Sequence, residues 1–543
     1  MNKQKFLFEV GTEVCYKVGG IYTILKSKLE QTTKHFGENY ILIGPWRGKC
    51  KHREFIPSSQ RDLVKIKKLL AKQGIKCHVG YWNTPSKPKV ILVDFKKRYR
   101  TRELLRFLQV EFGVDSSIRD ADYLDSMFFS ATAGEVIGTL VDGKLTQNKE
   151  VIAHLHEWMC GAGLLYLKKH YKNITTIFTT HATIFGRALA YSNKLVSDLP
   201  ISFKIDKAAR KKTRFAKASV EKASACEADY FTTVSKITAY ESNRVLGRYP
   251  DKIIGNGLNI KEILKNIDPK QIAKTRKKLL EVARKVTKQK IDPSALLWIT
   301  SGRYEFHNKG YDLLLKTLAK LEKDLPKDSP PIIMFFLVAL RRHSKKDSLL
   351  NATPSTHPKQ KNALGIATHK VLNPNKDGIL KLCNKLNFKK SKRKIHIVFS
   401  DAYLNGRDGV FNTHYEQILA SCNLSIFPSF YEPWGYTPLE SLAYSVPTVT
   451  TDLSGFGSWV NDNVKKEFSN AAFVLKRKGK DEKESIDELK KHFTRLIKKS
   501  ADKKQAQKIK RLAFKVASLA DWKKFFSGYL EAYKEAIKFN NLC

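Results

Sequence analysis

Short runs of β-branched and aromatic residues recur twelve times along this chain: "KFLFEV", "YILIGP", "KVILVDF", "EVIAHLH", "TTIFTTH" and "YFTTVS", then "LLWITSGR", "IIMFFLVAL", "IHIVFS", "LSIFPS", "VPTVTT" and "AFVLKR". Helical patterns of ten or more residues separate many of them. Strands joined by helices of that length pair in parallel, with helices covering both faces of the sheet, so the pattern predicts an α/β protein. The strands suffice for two sheets, and 543 residues exceed what one hydrophobic core ordinarily organises.

The first half closes at "PDKIIGNGLNI", residues 250–260, where a Gly-Asn-Gly turn breaks the pattern. The charged segment that follows carries Ile272, Leu279, Leu280, Val282 and Val286 at helical spacing. This predicts a projecting helical insertion over about 261–290 before the second sheet begins at Leu296. The irregular stretch 341–365 is expected to be a mobile surface loop.

Hydrophobic content of 42% beside 28% charged residues belongs to a globular chain and not to a disordered one. The formal net charge of +47, from 99 Lys plus Arg against 52 Asp plus Glu, raises the question of a polyanionic partner. The excess is mostly lysine scattered along the whole chain, without an RRM, KH or zinc-finger signature or a basic arm. A solvated lysine surface accounts for it, and nucleic acid is not an expected partner. The eight cysteines include Cys50 and Cys543 and form no C-x-x-C pair. With no secretory signal and no run of membrane-spanning length, they read as free thiols of a cytoplasmic protein, without metal or membrane.

In open parallel sheets, ligands bind outside the carboxyl ends of the strands, so the turns after strands are where chemistry is sought. In "EVCYKVGGIYTIL", Gly19 and Gly20 open a helix with Lys17 just ahead, a pattern that admits an anion to backbone N–H groups and that a plain tight turn also uses. "HLHEWMCG" places His154 and His156 beside Glu157, and "TTHATIFGRAL" places His181 six residues before Arg187. These suit polar substrate contacts, although any one histidine could be a satisfied core residue. "SGRYEFHNKGYDLLL" holds Arg303 and Lys309 in the turn after a strand, two cations suited to a diphosphate that gains charge as it leaves.

The stretch "FPSFYEPWGYTPLESLAYSVPTV" sets Glu432 and Glu440 eight positions apart. Thr437 to Glu440 has the form of a capping box, with Thr437 at N-cap and Pro438 at N1, so Glu440 has a structural reading too. Glu432 lies ahead of that cap with nothing local to cap, and is placed to accept hydrogen bonds from ligand hydroxyls. The N–H groups of the helix beginning at Thr437 would meet a phosphate.

Together with "EKASACEADYFTTVSKIT", "GNGLNI" and "YLNGRDGVFN", these stretches resemble the glycogen synthase family of the animal and fungal, UDP-glucose-dependent retaining type, through most of the chain. The resemblance implies GT-B architecture, two Rossmann-like domains facing a central cleft. It divides the chain into 1–257 on the acceptor side, 258–520 on the nucleotide-sugar side, and a helix over 521–543 that returns to the first domain. It further implies glucosyl transfer from UDP-glucose to an α-1,4-glucan such as glycogen, with no cofactor. By the same carry-over Glu432 lies near the donor sugar and Glu440 binds ribose. Arg303 and Lys309 clamp the diphosphate, Thr437 meets phosphate, and Tyr415 stacks on uracil. His181 and Arg187 line the glucose and phosphate pocket, Lys17, Gly19 and Gly20 form the loop over the donor, and His156 and Glu157 stand on the acceptor side or in the cleft.

The resemblance is to a short form, since the long phosphorylated tails of the animal and fungal enzymes have little counterpart here. Their arginine-rich glucose 6-phosphate helix corresponds to Lys504, Lys508, Arg511 and Lys515, where only one residue is Arg. Lysine lacks the guanidinium fork, so a weakened sugar-phosphate site and a solvated helix face both fit. A homo-oligomer is left open. Two rivals remain: a synthase using ADP-glucose or another nucleotide sugar, and a non-catalytic protein that binds polysaccharide or polyanions on the same fold.

Overall fold

A computed structural model describes residues 4–48, 53–96, 98–200, 212–265, 267–390 and 393–542 of the chain. It divides into two compact units, the first built from Met1–Leu189, Lys194–Asn259 and Asp521–Cys543 and the second from Ala190–Asn193 and Ile260–Ala520. Cys50 and Cys543 lie outside the described residues. The other six cysteines are free thiols, with Cys15, Cys77, Cys160, Cys383 and Cys422 buried and Cys226 exposed. No helix among the described residues is long and apolar enough to cross a membrane.

Unit 1 is organised by a sheet of nine strands among its described residues: β1 (Lys5–Val10), β2 (Tyr40–Pro45), β3 (Phe55–Pro57), β4 (Lys76–Trp82), β5 (Lys89–Asp94), β6 (Glu150–His156), β7 (Ile174–Thr180), β8 (Tyr230–Thr233) and β9 (Lys252–Ile253). Their order is β3-β4-β5-β2-β1-β6-β7-β8-β9. All neighbours are parallel except the pairs of β4 with β3 and with β5. Every residue of β2 and of β7 is buried, as expected of strands covered on both faces. The threonines of β7 are tolerated there because their hydroxyls are satisfied: Thr176 donates to Asp229 Oδ2 at 2.8 Å, and Thr179 Oγ1 lies 2.6 Å from Thr232 Oγ1.

The final helix, Trp522–Leu542, belongs to this unit. Trp522, Phe526, Tyr529, Tyr533 and Ile537 recur at three- and four-residue spacing and are all buried. Trp522 donates its indole N–H to Ser27 Oγ at 2.7 Å, Lys28 Nζ stands 4.5 Å from the centre of the Tyr529 ring, and Tyr533 Oη is 3.1 Å from His154 Nδ1.

Unit 2 holds a six-stranded parallel sheet among its described residues, in the order β12-β11-β10-β13-β14-β15. The strands are β10 (Leu296–Arg303), β11 (Ile332–Arg341), β12 (Ile395–Ala402), β13 (Leu424–Ile426), β14 (Thr448–Thr451) and β15 (Ala472–Leu475). The charged segment before β10 forms helices Ile260–Lys265 and Pro269–Thr287, the second capped by the Asp268 side chain on the Lys270 N–H. It does not project. Leu279, Leu280, Val282 and Val286 are buried in one core with Leu297, Ile299 and Ile333, and burying each such side chain is worth about 1.5–3 kcal/mol. The stretch 341–365 is irregular but anchored: Leu349, Ala352 and Ala363 are buried, and isolated bridges join Ser348 to His369 and Ala367 to Phe399 of β12.

Candidate active site

The parallel part of each sheet reverses its strand order at one place, between β1 and β6 in unit 1 and between β10 and β13 in unit 2. At such a switch point the connections leave in opposite directions and open a crevice at the carboxyl ends of the strands. Many of the candidate residues of each unit lie in the turns after these strands and their neighbours, whereas Lys504, Lys508, Arg511 and Lys515 lie on the helix Lys503–Leu519.

In unit 1 the turns after β6 and β7 meet. Glu157 adopts a left-handed backbone, φ 69°, immediately after β6, and its Oε1 accepts the His181 N–H at 3.0 Å. His181 Nε2 is 3.0 Å from His156 Nδ1, and His156 Nε2 is 2.8 Å from Glu9 Oε1. Glu9 also receives the Lys28 ammonium and, at 2.5 Å, the Tyr40 hydroxyl. Burial alone would raise the Glu9 carboxyl, but Lys28 and His156 outweigh it and hold Glu9 well below the usual carboxylate range. Burial depresses His154, His156 and His181, so all three are neutral at pH 7. His181 Nδ1 is buried without a hydrogen-bond partner among the described residues.

Glu9, His154 and His156 bring ligand atoms within 4.8 Å of one another. Their atoms are already committed, Glu9 to Lys28, Tyr40 and His156, and His154 to Tyr533 and to Thr179 Oγ1 at 2.7 Å, so the trio is a hydrogen-bonded core network. The position of Glu9, the one acid in a strand of otherwise apolar and aromatic residues after Lys5, was the sequence signal for it. Its partners Lys28 and Tyr533 gave none.

The Gly19–Gly20 loop leads into the helix Gly20–Phe36. Lys17, Gly19 and Gly20 are exposed, and a Cβ at Gly20 would meet nothing within 4 Å. The loop is held from beneath by Glu13, whose Oε2 accepts the N–H groups of Gly19 at 2.7 Å and Tyr22 at 2.9 Å. Arg187 is exposed on the helix Ile184–Ala190.

In unit 2 the turn after β10 is tied to the turn after β13. The Phe430 N–H donates to Asn308 O at 2.7 Å, and Gly310 sits so close that a Cβ there would lie 2.0 Å from Pro428 O. Gly310 also has φ +68°, so the contact requires glycine twice over. Lys309 is thereby set against Glu432, and its ammonium donates to Glu432 Oε2. Arg303 is turned elsewhere: its Nε is 3.2 Å from Glu305 Oε1 and its side chain is largely exposed. Burial would raise Glu305, yet Arg303 and Asn308 hold it below its ordinary value. Tyr415 is half-buried, with its hydroxyl 2.7 Å from Ser301 Oγ.

The capping box expected at Thr437 is not formed. The helix spans Tyr436–Ala443, two residues earlier, and its N-cap is Gly435 at φ 109°, without a side-chain cap. Pro438 falls in the first turn, where no intrahelical N–H is required of it, so the helix starts before the proline without loss. Thr437 and Glu440 are half-buried on the opening turns of this helix. Lys504, Lys508, Arg511 and Lys515 are all exposed on the helix Lys503–Leu519, with Lys515 Nζ 5.6 Å from the centre of the Phe468 ring.

The family model for glycogen synthase matches residues 9–352 and 345–540. Over 597 residues the chain is 29% identical to a glycogen [starch] synthase of Neurospora crassa, covering 99% of this chain and 84% of that one. It is 27% identical to isoform 1 of Saccharomyces cerevisiae over 97% of this chain and 85% of that one, and 28% identical to the human liver protein over 96% and 82%. Among solved structures, the catalytic domain of starch synthase IV from Arabidopsis thaliana, bound to ADP and acarbose, superposes with a TM-score of 0.56 at 14% identity, covering 99% of this chain and 100% of that one. A trehalose-6-phosphate synthase superposes with a TM-score of 0.55 at 11% identity, covering 97% and 99%. These structural likenesses establish the fold alone, which is GT-B with two Rossmann-like units.

Proposed function

The chain belongs to the glycogen synthase family, and from that premise we propose that it transfers glucose from UDP-glucose to the non-reducing end of an α-1,4-glucan, releasing UDP with retention at the anomeric carbon. The observation that carries the proposal is the Lys309–Glu432 pair at the switch point of unit 2, beside the opening turn of the helix Tyr436–Ala443. A cation, a carboxylate and a row of helix N–H groups together meet the needs of a sugar diphosphate.

In the proposed reaction the bond from C1 to the phosphate oxygen breaks and the bond from C1 to the acceptor hydroxyl oxygen forms on the same face of the sugar. The acceptor proton passes to a phosphate oxygen of the departing UDP. Negative charge accumulates on the diphosphate, and Lys309, Arg303 and the N–H groups near Thr437 lower the barrier by meeting it. Glu432 orients Lys309 and faces the sugar, Glu440 takes the ribose hydroxyls, and Tyr415 stacks on the base. From unit 1, neutral His181 offers a hydrogen bond to the glucosyl group through its buried ring, while Arg187, Lys17 and the Gly19–Gly20 loop meet phosphate. Gly20, which no packing contact obliges to be glycine, leaves room for that close approach. The charge on the leaving group is matched by protein cations, so the proposal includes no metal. The exposed Lys504, Lys508, Arg511 and Lys515 are a weak contact for glucose 6-phosphate within the same reading.

The deciding experiment mixes the purified protein with UDP-glucose and glycogen and measures UDP, beside ADP-glucose and a Glu432→Gln variant. Release that needs glycogen, prefers UDP-glucose and collapses in the variant is the expected result. Equal or better use of ADP-glucose would reassign the donor. Silence with both donors, with and without glucose 6-phosphate, would overturn the synthase reading.

A further inference from the structure

Three carboxylates that no part of the proposed chemistry uses crowd around one turn. Glu157, Glu221 and Glu241 are all buried in unit 1, and all three bind the segment from Thr180 to Gly186 that carries His181 and leads into Arg187. Glu157 accepts the His181 N–H. Glu221, from the helix Lys212–Glu227, has its Oε1 2.8 Å from Thr180 Oγ1 and accepts the Ile184 N–H on Oε2 at 3.0 Å. Glu241, from the helix Lys236–Leu246, has its Oε2 2.8 Å from Thr183 Oγ1, and Thr183 Oγ1 accepts the Gly186 N–H at 2.9 Å. The packing is close enough that a Cβ on Gly186 would fall 2.2 Å from Glu241 Oε2.

A turn built on three acids in a dry site is held well only while the acids do not repel one another. Glu157 and Glu241 face Glu221, and Glu221, Glu13 and Arg187 face Glu157, with neutral His181 alongside. Arg187 is the cation that acts on Glu157.

We propose that Glu221 and Glu241 are positioning residues, which hold the turn bearing His181 and Arg187 through Thr180, Thr183 and the Ile184 N–H, and that this turn is where unit 1 first loses its working shape as the medium becomes alkaline. The link to catalysis rests on the proposed role of His181 and Arg187; the link to the turn's shape does not. Burial, reinforced by Glu157 and Glu241, raises the Glu221 carboxyl to about 8, and burial, opposed chiefly by Arg187, raises Glu157 to about 7. Both acids therefore lose protons as pH rises through neutrality, which puts mutually repelling charges under the turn.

Two measurements test this. The first follows amide hydrogen exchange of peptides covering 180–190 in the unaltered protein from about pH 6 to about pH 9, corrected for intrinsic rates. Exchange that accelerates there ahead of β1, β2 and β6 is expected; uniform acceleration, or none, overturns the proposal whatever the enzyme's substrate. The second compares pH profiles of UDP release in Glu221→Gln, Glu221→Ala and the unaltered protein, with circular dichroism as the check on folding. Gln keeps an acceptor for the Ile184 N–H and cannot ionise, so its alkaline limb moves up by about one pH unit. Ala removes the hold and lowers kcat by roughly tenfold or more with a smaller change in KM. An alkaline limb that stays in place in a folded Gln variant overturns the proposal. If the unaltered protein releases no UDP, the synthase reading has failed and the exchange experiment still decides the fate of the turn.

Discussion

Lys309 donates its ammonium to Glu432 across the turns that follow β10 and β13, in the partly buried rim of unit 2, with the lysine 14% and the glutamate 23% exposed. The pair pre-orients both groups, and it sets Glu432 in competition with any anion that would bind Lys309.

Removing either partner should therefore act oppositely on nucleotide binding. Glu432→Gln should lower UDP release by about 10²-fold or more while UDP binds as tightly as before or tighter, because Lys309 is freed. Lys309→Ala should lower both rate and UDP affinity. Calorimetric titration of UDP into the two variants checks this, and weaker UDP binding in Glu432→Gln would refute the competition.

Stability should show a maximum close to the unperturbed histidine range. His154, His156 and His181 are depressed by burial, so their contribution is complete above about pH 6.5 and is lost as pH falls through their lowered values. Glu157 and Glu221 are raised to about 7 and about 8, so the folded state binds more protons than the unfolded one above the ordinary carboxylate range. Stability then falls with rising pH until they are ionised. Thermal unfolding across pH should show the fall in stability between the ordinary carboxylate range and about pH 8 reduced in Glu221→Gln, with the slope below the carboxylate range unchanged.

The core network under β1 should be far less tolerant than its polar composition suggests. Lys28→Met leaves the Glu9 charge buried beside a lost partner and should cost about 3–5 kcal/mol, whereas Tyr533→Phe orphans only His154 Nδ1 and should cost about 1–3 kcal/mol. Glu9→Gln combined with Lys28→Met should recover part of the loss. Urea unfolding of the four proteins measures it, and equal single-variant losses would contradict the ordering.

Thiol chemistry should single out one position among the described cysteines. Cys226 is exposed, while burial raises the thiols of Cys15, Cys77, Cys160, Cys383 and Cys422 and removes them from solvent. Maleimide labelling of the native protein followed by peptide mapping should find Cys226 modified well before those five.

Most of the parallel strands were legible because each is a short run dominated by apolar, β-branched or aromatic residues, and β10 could be bounded to the residue. β4 was not: "KCHVGYW" mixes charged, polar and aromatic residues, as an antiparallel strand near a sheet edge can. Glu432 and Lys309 were readable as candidate site residues, since each follows a strand, yet their pairing depends on Gly310 approaching Pro428, a contact 118 positions long in sequence that no local pattern encodes. The capping box failed because it was read from side chains alone, and Gly435, two positions upstream, supplied the backbone that starts the helix. Glu221 and Glu241 were invisible for a different reason. On amphipathic helices a glutamate ordinarily belongs to the solvent face, and only the fold turns these two inward.

The last helix carries a consequence for the order in which the molecule can be made. Residues 260–520 are an insertion within unit 1, so every contact of unit 2 is available before Asp521 and the helix after it have been made. Unit 1 is not complete at that moment. Lys28 and His154 emerge early, but Tyr529 and Tyr533, which cover and bond them, emerge only after all of unit 2 has been made. The nascent amino-terminal sheet must wait, with its charged core uncovered, while residues 260–520 are read, and in that interval its uncovered surface is open to misassociation.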